Sequence, residues 1–346
     1  MTNTKQIYEI AILGRILWNL HSLNNEGTIG NVTEPRSVKI IDPNTNEIIT
    51  TDGISGEMLK HIHTVKLWEI IGDKSKLLCE ACRKLDPNKA QNNTKAKGNR
   101  EKIIEIAVRD CIICDLHGFL TERGPASRES IIEFGWSVGV GKIGERVERD
   151  IHLHARQSME SAYVEEIKKA GNWEGQKCSI QECSIDESES DLYKVRNKWY
   201  CQQHSPVTQM LYHRPTRSGI YAIVSVFQPW RIGLNNATME YVKGIDRKER
   251  YQLALEAYQA MFLRTEGAMT TTRLPHTEGF EGIIVISYQN FPVPVVSPLK
   301  DSYLNEMENI NQELGGIFEL KKFKNLDEFV KVINELLEKE PYEVKF

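Results

Sequence analysis

The chain has no long hydrophobic run: nothing in its 346 residues approaches the ~20 consecutive apolar positions that a membrane helix requires. Its first stretch, MTNTKQIYEIAILGRILWNLHS, carries charges inside the apolar part and no small-residue cleavage pattern, so it does not read as a secretion signal. An excess of one charge sign is also missing. The net charge of −4 argues against a generic basic nucleic-acid binder. Eleven acidic and seven basic residues from Lys300 onward account for that value, which leaves the first 299 residues near neutral and a local basic track open. No Walker loop or HExxH occurs, so the sequence gives no positive evidence for a P-loop nucleotide site or a zinc-hydrolase site. No internal repeat is visible. Hydrophobic content of 40% with 27% charged residues is that of an ordinary soluble globular protein.

Cysteine is scarce, yet all seven, with one histidine, fall into two sets with zinc-ligand spacing. Cys79 and Cys82 pair with Cys111 and Cys114; Cys178 and Cys183 pair with Cys201 and His204. A two-residue gap turns neighbouring thiolates onto one ion, and two such knuckles complete a tetrahedral shell. An odd count does not suit a disulfide framework, which also needs an oxidising compartment. Closed four-ligand shells predict two structural Zn2+ sites and no open position for catalysis.

Hydrophobic periodicity predicts a strand over 7–18 with Ile7, Ile10, Ile12 and Ile16 inward, and a hairpin of VKIID and EIITT around Pro-Asn-Thr-Asn. Ser55 reads as the N-cap of a helix with Met58, Ile62, Val65 and Ile70 on one stripe. REKIIEIAVRD is a short helix delivering Cys111 and Cys114. Strand character returns at 129–140, in QMLYHR, at 219–230 and at 282–289. Further helices are expected at 246–264, 301–314 and 325–339. Strand, helix, strand, then strand, helix, strand is the split βαβ pattern. The predicted class is therefore α+β: one ferredoxin-like or RRM-like palm over 1–346, with zinc-binding insertions at 71–115 and 141–208.

Lys60, His61 and His63 fall within one helical turn, either beside a phosphate or on a solvated face. The loop EGAMTTTRLPHTEG joins a glycine, three hydroxyls and Arg273, a combination suited to phosphate oxygens or to a plain polar connection. Arg214 and Arg217 beside a strand are again usable on a phosphate or simply solvated, and the early loop adds Asn19, His21, Asn24 and Arg36, so that Arg36, Arg214 and Arg217 join the candidates for RNA contact. Asp115 and His117 follow the second knuckle, but no nucleophile stands in a recognisable context.

Five segments in register, NLHSLNNEG, ISGEMLKHIH, CDLHGFL before ESIIEFGWSV, QMLYHR-x-TRSGIYAIV and EGAMTTTRLPH, resemble the CRISPR-associated autoregulator (DevR) family. The similarity runs through 5–70, 110–140 and 207–340. That family supplies the repeated backbone subunit of type I (Cascade) effector complexes. The resemblance implies a cytoplasmic, non-catalytic protein that binds CRISPR RNA, stacks on further copies of itself, meets target DNA through guide pairing and contacts other Cascade subunits, with no membrane. It implies RNA contact for Lys60 and His61 on the helix, for Gly267, Ala268, Thr270 and Arg273 in the loop, and for His21 and Asn24 near the start. For His117 it implies a structural hydrogen bond. Two other readings stand beside it: a metal-dependent RNA-cleaving backbone subunit using Asp52 or Asp115, and a zinc-containing DNA-binding regulator.

Overall fold

The structure is a computed structural model and describes residues 5–29, 32–122, 124–156, 165–204 and 210–346. Gln209 of QMLYHR and parts of the expected 141–208 insertion lie outside the described residues. Two compact units form. Residues 1–26, 35–150 and 216–346 make the first, and 27–34 with 151–215 make the second. Among the described residues no helix is long and apolar enough to cross a membrane.

In the first unit, β1 (Glu9–His21) is apolar at most positions and is buried on both faces. Ile10, Ile12 and Ile16 enter the main core, as does Ile7 just before the strand. Ala11 and Leu13 enter a smaller core with Ile283, Val285, Tyr303 and Met307. Next come the hairpin strands β2 (Ser37–Ile41) and β3 (Ile48–Ile54). Asp42 nucleates their turn by accepting the Asn44 N–H at 2.8 Å. Helix α1 (Gly56–Ile70) starts where the Ser55 hydroxyl accepts the Met58 N–H. Helices α2 (Arg100–Asp110) and α3 (Ile112–His117) follow, then short strands β4 (Ile132–Phe134) and β5 (Ser137–Gly139). The long β6 (Met210–Phe227) leads to α4 (Arg247–Leu263), capped by Asp246. The chain then forms β7 (His276–Ser287), α5 (Tyr303–Glu313), β8 (Phe318–Phe323) and α6 (Leu326–Leu337).

The sheet runs β8–β7–β1–β6–β5–β3–β2, with β4 also on β6. Both β6 and β7 are antiparallel to β1. The class is α+β. Around α1 and α4, which pack on each other, the strands β7, β1, β6 and β5 stand fourth, first, third and second in chain order. Phe262, Phe280, Phe323 and Phe329 pack together, mostly edge to face, at centroid spacings of 4.6 to 5.4 Å and join α4, β7, β8 and α6. Each ring buried in this way contributes roughly 1.5–3 kcal/mol.

The buried stripe of α1 is Leu59, Ile62, His63, Lys66 and Leu67, rotated from the expected Met58, Ile62, Val65 and Ile70. His63 and Lys66 go inside because both find polar partners there, so a polarity pattern misjudges the helix face. The segment 71–115 lies in the first unit, and Leu78, Ala81, Ala90, Ile103 and Ile104 join the main core. The second unit holds a three-stranded sheet of 166–168, 192–195 and 198–201. Its core is small: Trp173, Leu192 and Cys201, with Cys178, Cys183, Ile185 and Trp199 against them.

Candidate metal centres and nucleic-acid interface

Both cysteine sets converge. Within each, the four ligand atoms lie within 4.8 Å of one another. In the first, the Cys82 and Cys114 sulfurs are 3.8 Å apart. That is about 3.8 Å, the edge of a tetrahedron with metal–sulfur bonds of ~2.3 Å. Cys79 and Cys111 each hold the N-cap position of a short helix, Glu80–Arg83 and α3, and the Cys114 N–H donates to the Cys111 sulfur at 3.4 Å. Hydrogen bonding with Cys111 holds the Cys79 thiol far below its ordinary range and pushes the Cys82 thiol up. In the second set, Cys183 and Cys201 are 3.7 Å apart, and His204 Nδ1 lies 3.2 Å from Cys201 and 3.6 Å from Cys178. Burial raises the Cys178 thiol, but the N–H groups of Cys201 and Ile180 and the His204 ring more than offset it, leaving about 7. Sulfur and imidazole donors closed at four fit a soft divalent ion held structurally.

The second knuckle of the first set is braced from behind. Asp115, fully buried, takes the Arg250 guanidinium at 2.7 Å, Arg128, and the Gly233 N–H at 3.0 Å. Arg250 also donates to the carbonyls of Val108 and Arg109, closing the last turn of α2. After Asp115 comes the His117–Gly118 turn. Gly118 has φ +65, and a Cβ there would sit 2.2 Å from the Arg128 carbonyl, so only glycine fits.

The N-terminal loop, the start of α1 and the 266–273 loop meet. Asn24 Oδ1 accepts the Ser55 N–H at 2.9 Å, and the Leu23 carbonyl accepts the Ala268 N–H at 3.0 Å. A Cβ on Gly267 would lie 2.8 Å from that Leu23 oxygen, which accounts for the glycine. The Thr270 hydroxyl donates back to the Gly267 carbonyl, and Arg273, mostly buried, donates to Thr272. Lys66 anchors the loop from α1 by an ion pair to Glu266. Lys66 was not legible as a site residue, because its carboxylate partner lies 200 positions away.

His21, Arg217 and Asp52 form one buried network. Tyr221 donates to Asp52 Oδ2 at 3.0 Å and lies 3.0 Å from His21 Nε2, while Arg217 and Arg149 pair with the two carboxylate oxygens at 3.0 and 2.8 Å. Burial raises the Asp52 carboxyl despite both arginines. Burial and the Arg217 charge keep His21 neutral, well below the usual imidazole range. His21, Asn24 and Arg217 are therefore interior. Arg36, partly exposed, pairs with Glu26 at 3.4 Å and lies over the Trp136 ring. Arg214 is half-buried in the second unit.

Lys60 and His61 lie on the other side of α1 from Lys66. They line a cleft of about 510 Å3 with Cys82, Leu85, Pro87, Lys89 and Ile113, beside the first metal centre. Burial, and next the neighbouring Lys89 charge, lower the Lys60 amine to about 8. Sequence reasoning missed Lys89, whose segment read only as the start of an insertion.

The family described as "CRISPR-associated negative auto-regulator DevR/Csa2" matches residues 12–184 and 188–308. Two solved structures also match, each described as a "CRISPR RNA-guided surveillance complex", one of them pre-nicking. The pre-nicking one has 10% identity over 89% of this chain and 87% of its own, with a TM-score of 0.40. The other has 8% identity over 96% and 98%, with a TM-score of 0.41. No curated relative matches the chain.

Proposed function

The chain belongs to the CRISPR-associated DevR/Csa2 family, and from that premise we propose that it is the CRISPR-RNA-binding backbone subunit of a type I Cascade effector complex. Copies stack along the guide and hold its spacer open for pairing with target DNA, and other Cascade subunits cap the row. The protein grips sugar and phosphate while base pairing reads sequence. We read the β7–β1–β6–β5 strand order, with α1 and α4, as the RRM-like palm. Both cysteine sets hold zinc as staples, and their free thiolates suit a reducing cytoplasm.

The observation that carries this reading is the meeting of the Leu23–Asn24 loop, the α1 N-terminus and the Gly267 loop, with Lys60 uncommitted on the same helix. A non-catalytic role is supported by Asp52 and Asp115. Each is fully buried and held by two arginines, which leaves neither carboxylate open to a catalytic ion. The test is titration of labelled single-stranded RNA of mixed sequence with Lys60→Ala and Arg273→Ala proteins. Weaker binding without sequence preference, and a shallower salt dependence, is expected. Unchanged affinity and salt response in both variants would refute the interface.

A further inference from the structure

We propose that Lys89 grips an RNA phosphate together with Lys60, so that the first metal centre, by fixing Lys89, is part of the RNA-binding site. This rests on the RNA-binding reading above and adds a residue and a metal dependence to it. Lys60 and Lys89 both line the 510 Å3 cleft and the adjoining one of about 580 Å3. Among the described residues neither ammonium has a carboxylate within ion-pair distance. Lys89 gives two of its three N–H donors to the carbonyls of His117 and Gly118, at 3.1 and 2.9 Å, and keeps the third. Lys60 keeps all three. Glu57 and Asp86 also line the 510 Å3 cleft, but neither pairs with an ammonium there, so both lysines keep donors to offer an anion.

The placement of Lys89 is built rather than incidental. Its backbone is left-handed, at φ +49, a conformation that costs a side-chain-bearing residue free energy and persists only where surrounding contacts impose it. Those contacts lead to the metal ligands. The Leu85 N–H donates to the Cys82 carbonyl, Asp86 to Ala81, and Lys89 to Asp86, so the turn bearing Lys89 is wound onto the first knuckle. On its other side, the carbonyls that hold the Lys89 ammonium belong to the turn directly after Cys114. Closing the four cysteines on an ion therefore ties the turn that bears Lys89 to the braced turn that holds its ammonium. A lysine near four thiolates could act only as their counter-charge, but this ammonium is tied to carbonyls and not to sulfur.

The test uses the full chain, labelled single-stranded RNA of mixed sequence, several salt concentrations and metal content by mass spectrometry. Lys89→Gln, which still hydrogen-bonds to the two carbonyls, is expected to keep both metals and bind RNA about tenfold more weakly. Its salt slope should be shallower by up to ~0.7, one phosphate contact on a single strand. Lys89→Arg should retain affinity. Lys60→Met with Lys89→Gln should cost less than the product of the single losses. Wild-type chain stripped of both metals should bind RNA as weakly as Lys89→Gln, whereas loss of the second metal alone should leave affinity unchanged. Wild-type affinity in metal-replete Lys89→Gln overturns the proposal. So does metal loss in that variant with unchanged RNA binding at equal metal content. Weakening by Lys60→Met but not by Lys89→Gln sinks this inference alone, whereas a wild-type chain that ignores RNA sinks the functional reading beneath it.

Discussion

His117 and His63 meet Nε2 to Nδ1 at 3.0 Å, and their surroundings assign the protons. His63 Nε2 lies 3.1 Å from the Ala254 carbonyl, which can only accept, so that nitrogen carries hydrogen. His63 Nδ1 then accepts from His117, and both rings are neutral. Burial lowers both, His63 to about 3.

That neutrality predicts acid sensitivity. A histidine whose folded pKa lies below its unfolded value contributes stability that is intact above about pH 6.5 and lost as pH falls toward the folded value. His63 alone should cost about 2 kcal/mol at pH 5, and His21 acts in the same direction. Urea unfolding between pH 7.5 and 5 measures it. His63→Gln should flatten the profile, and an equally steep variant would refute the assignment.

The Asp115 cluster predicts a large structural effect. Asp115→Ala leaves Arg128 and Arg250 buried without their anion and frees the end of α2. The expected loss is about 3–5 kcal/mol, read by denaturant unfolding. A loss below about 1 kcal/mol, the scale of an exposed pair, would show the cluster is not the brace described.

Chelation should act unevenly. Among its described residues the second unit has a core of Trp173, Leu192 and Cys201, whereas the first cysteine set sits inside the main core. Limited proteolysis with metal removed should cut within 165–204 while the first unit resists. Cleavage spread evenly along the chain would contradict this.

Lys60 predicts an alkaline limit for RNA binding. Its amine, lowered to about 8, is charged at pH 7 and largely neutral at pH 9. Affinity for RNA should fall by up to about tenfold across that span. Lys60→Arg should abolish the dependence, since arginine stays charged throughout.

Local signals were readable in the sequence. Ligand spacing named all eight residues of the two clusters that could hold a metal ion, and Ser55 marked the start of α1. The alternation in β1 pointed to the right isoleucines, although a strand buried on both faces alternates only weakly. What stayed hidden depends on distant partners. Arg217 looks like a surface cation beside a strand, yet its carboxylate lies 165 positions away and draws it inside. His63 reads as one more polar residue near Lys60 until the carbonyl of Ala254, 191 positions on, accepts its N–H. Lys89 needs both the cysteine turn and the Gly118 turn in place before it has any role.

The brace behind Cys111 and Cys114 also bears on how the ions are kept. Half of the first centre stands ready on a framework locked by Asp115 and Arg250, so capture there orders only the Cys79–Cys82 turn. The other centre must gather Cys178, Cys183, Cys201 and His204 from a sheet edge and loops. With less freedom to surrender, the braced centre should be the last to yield its ion to a competing chelator.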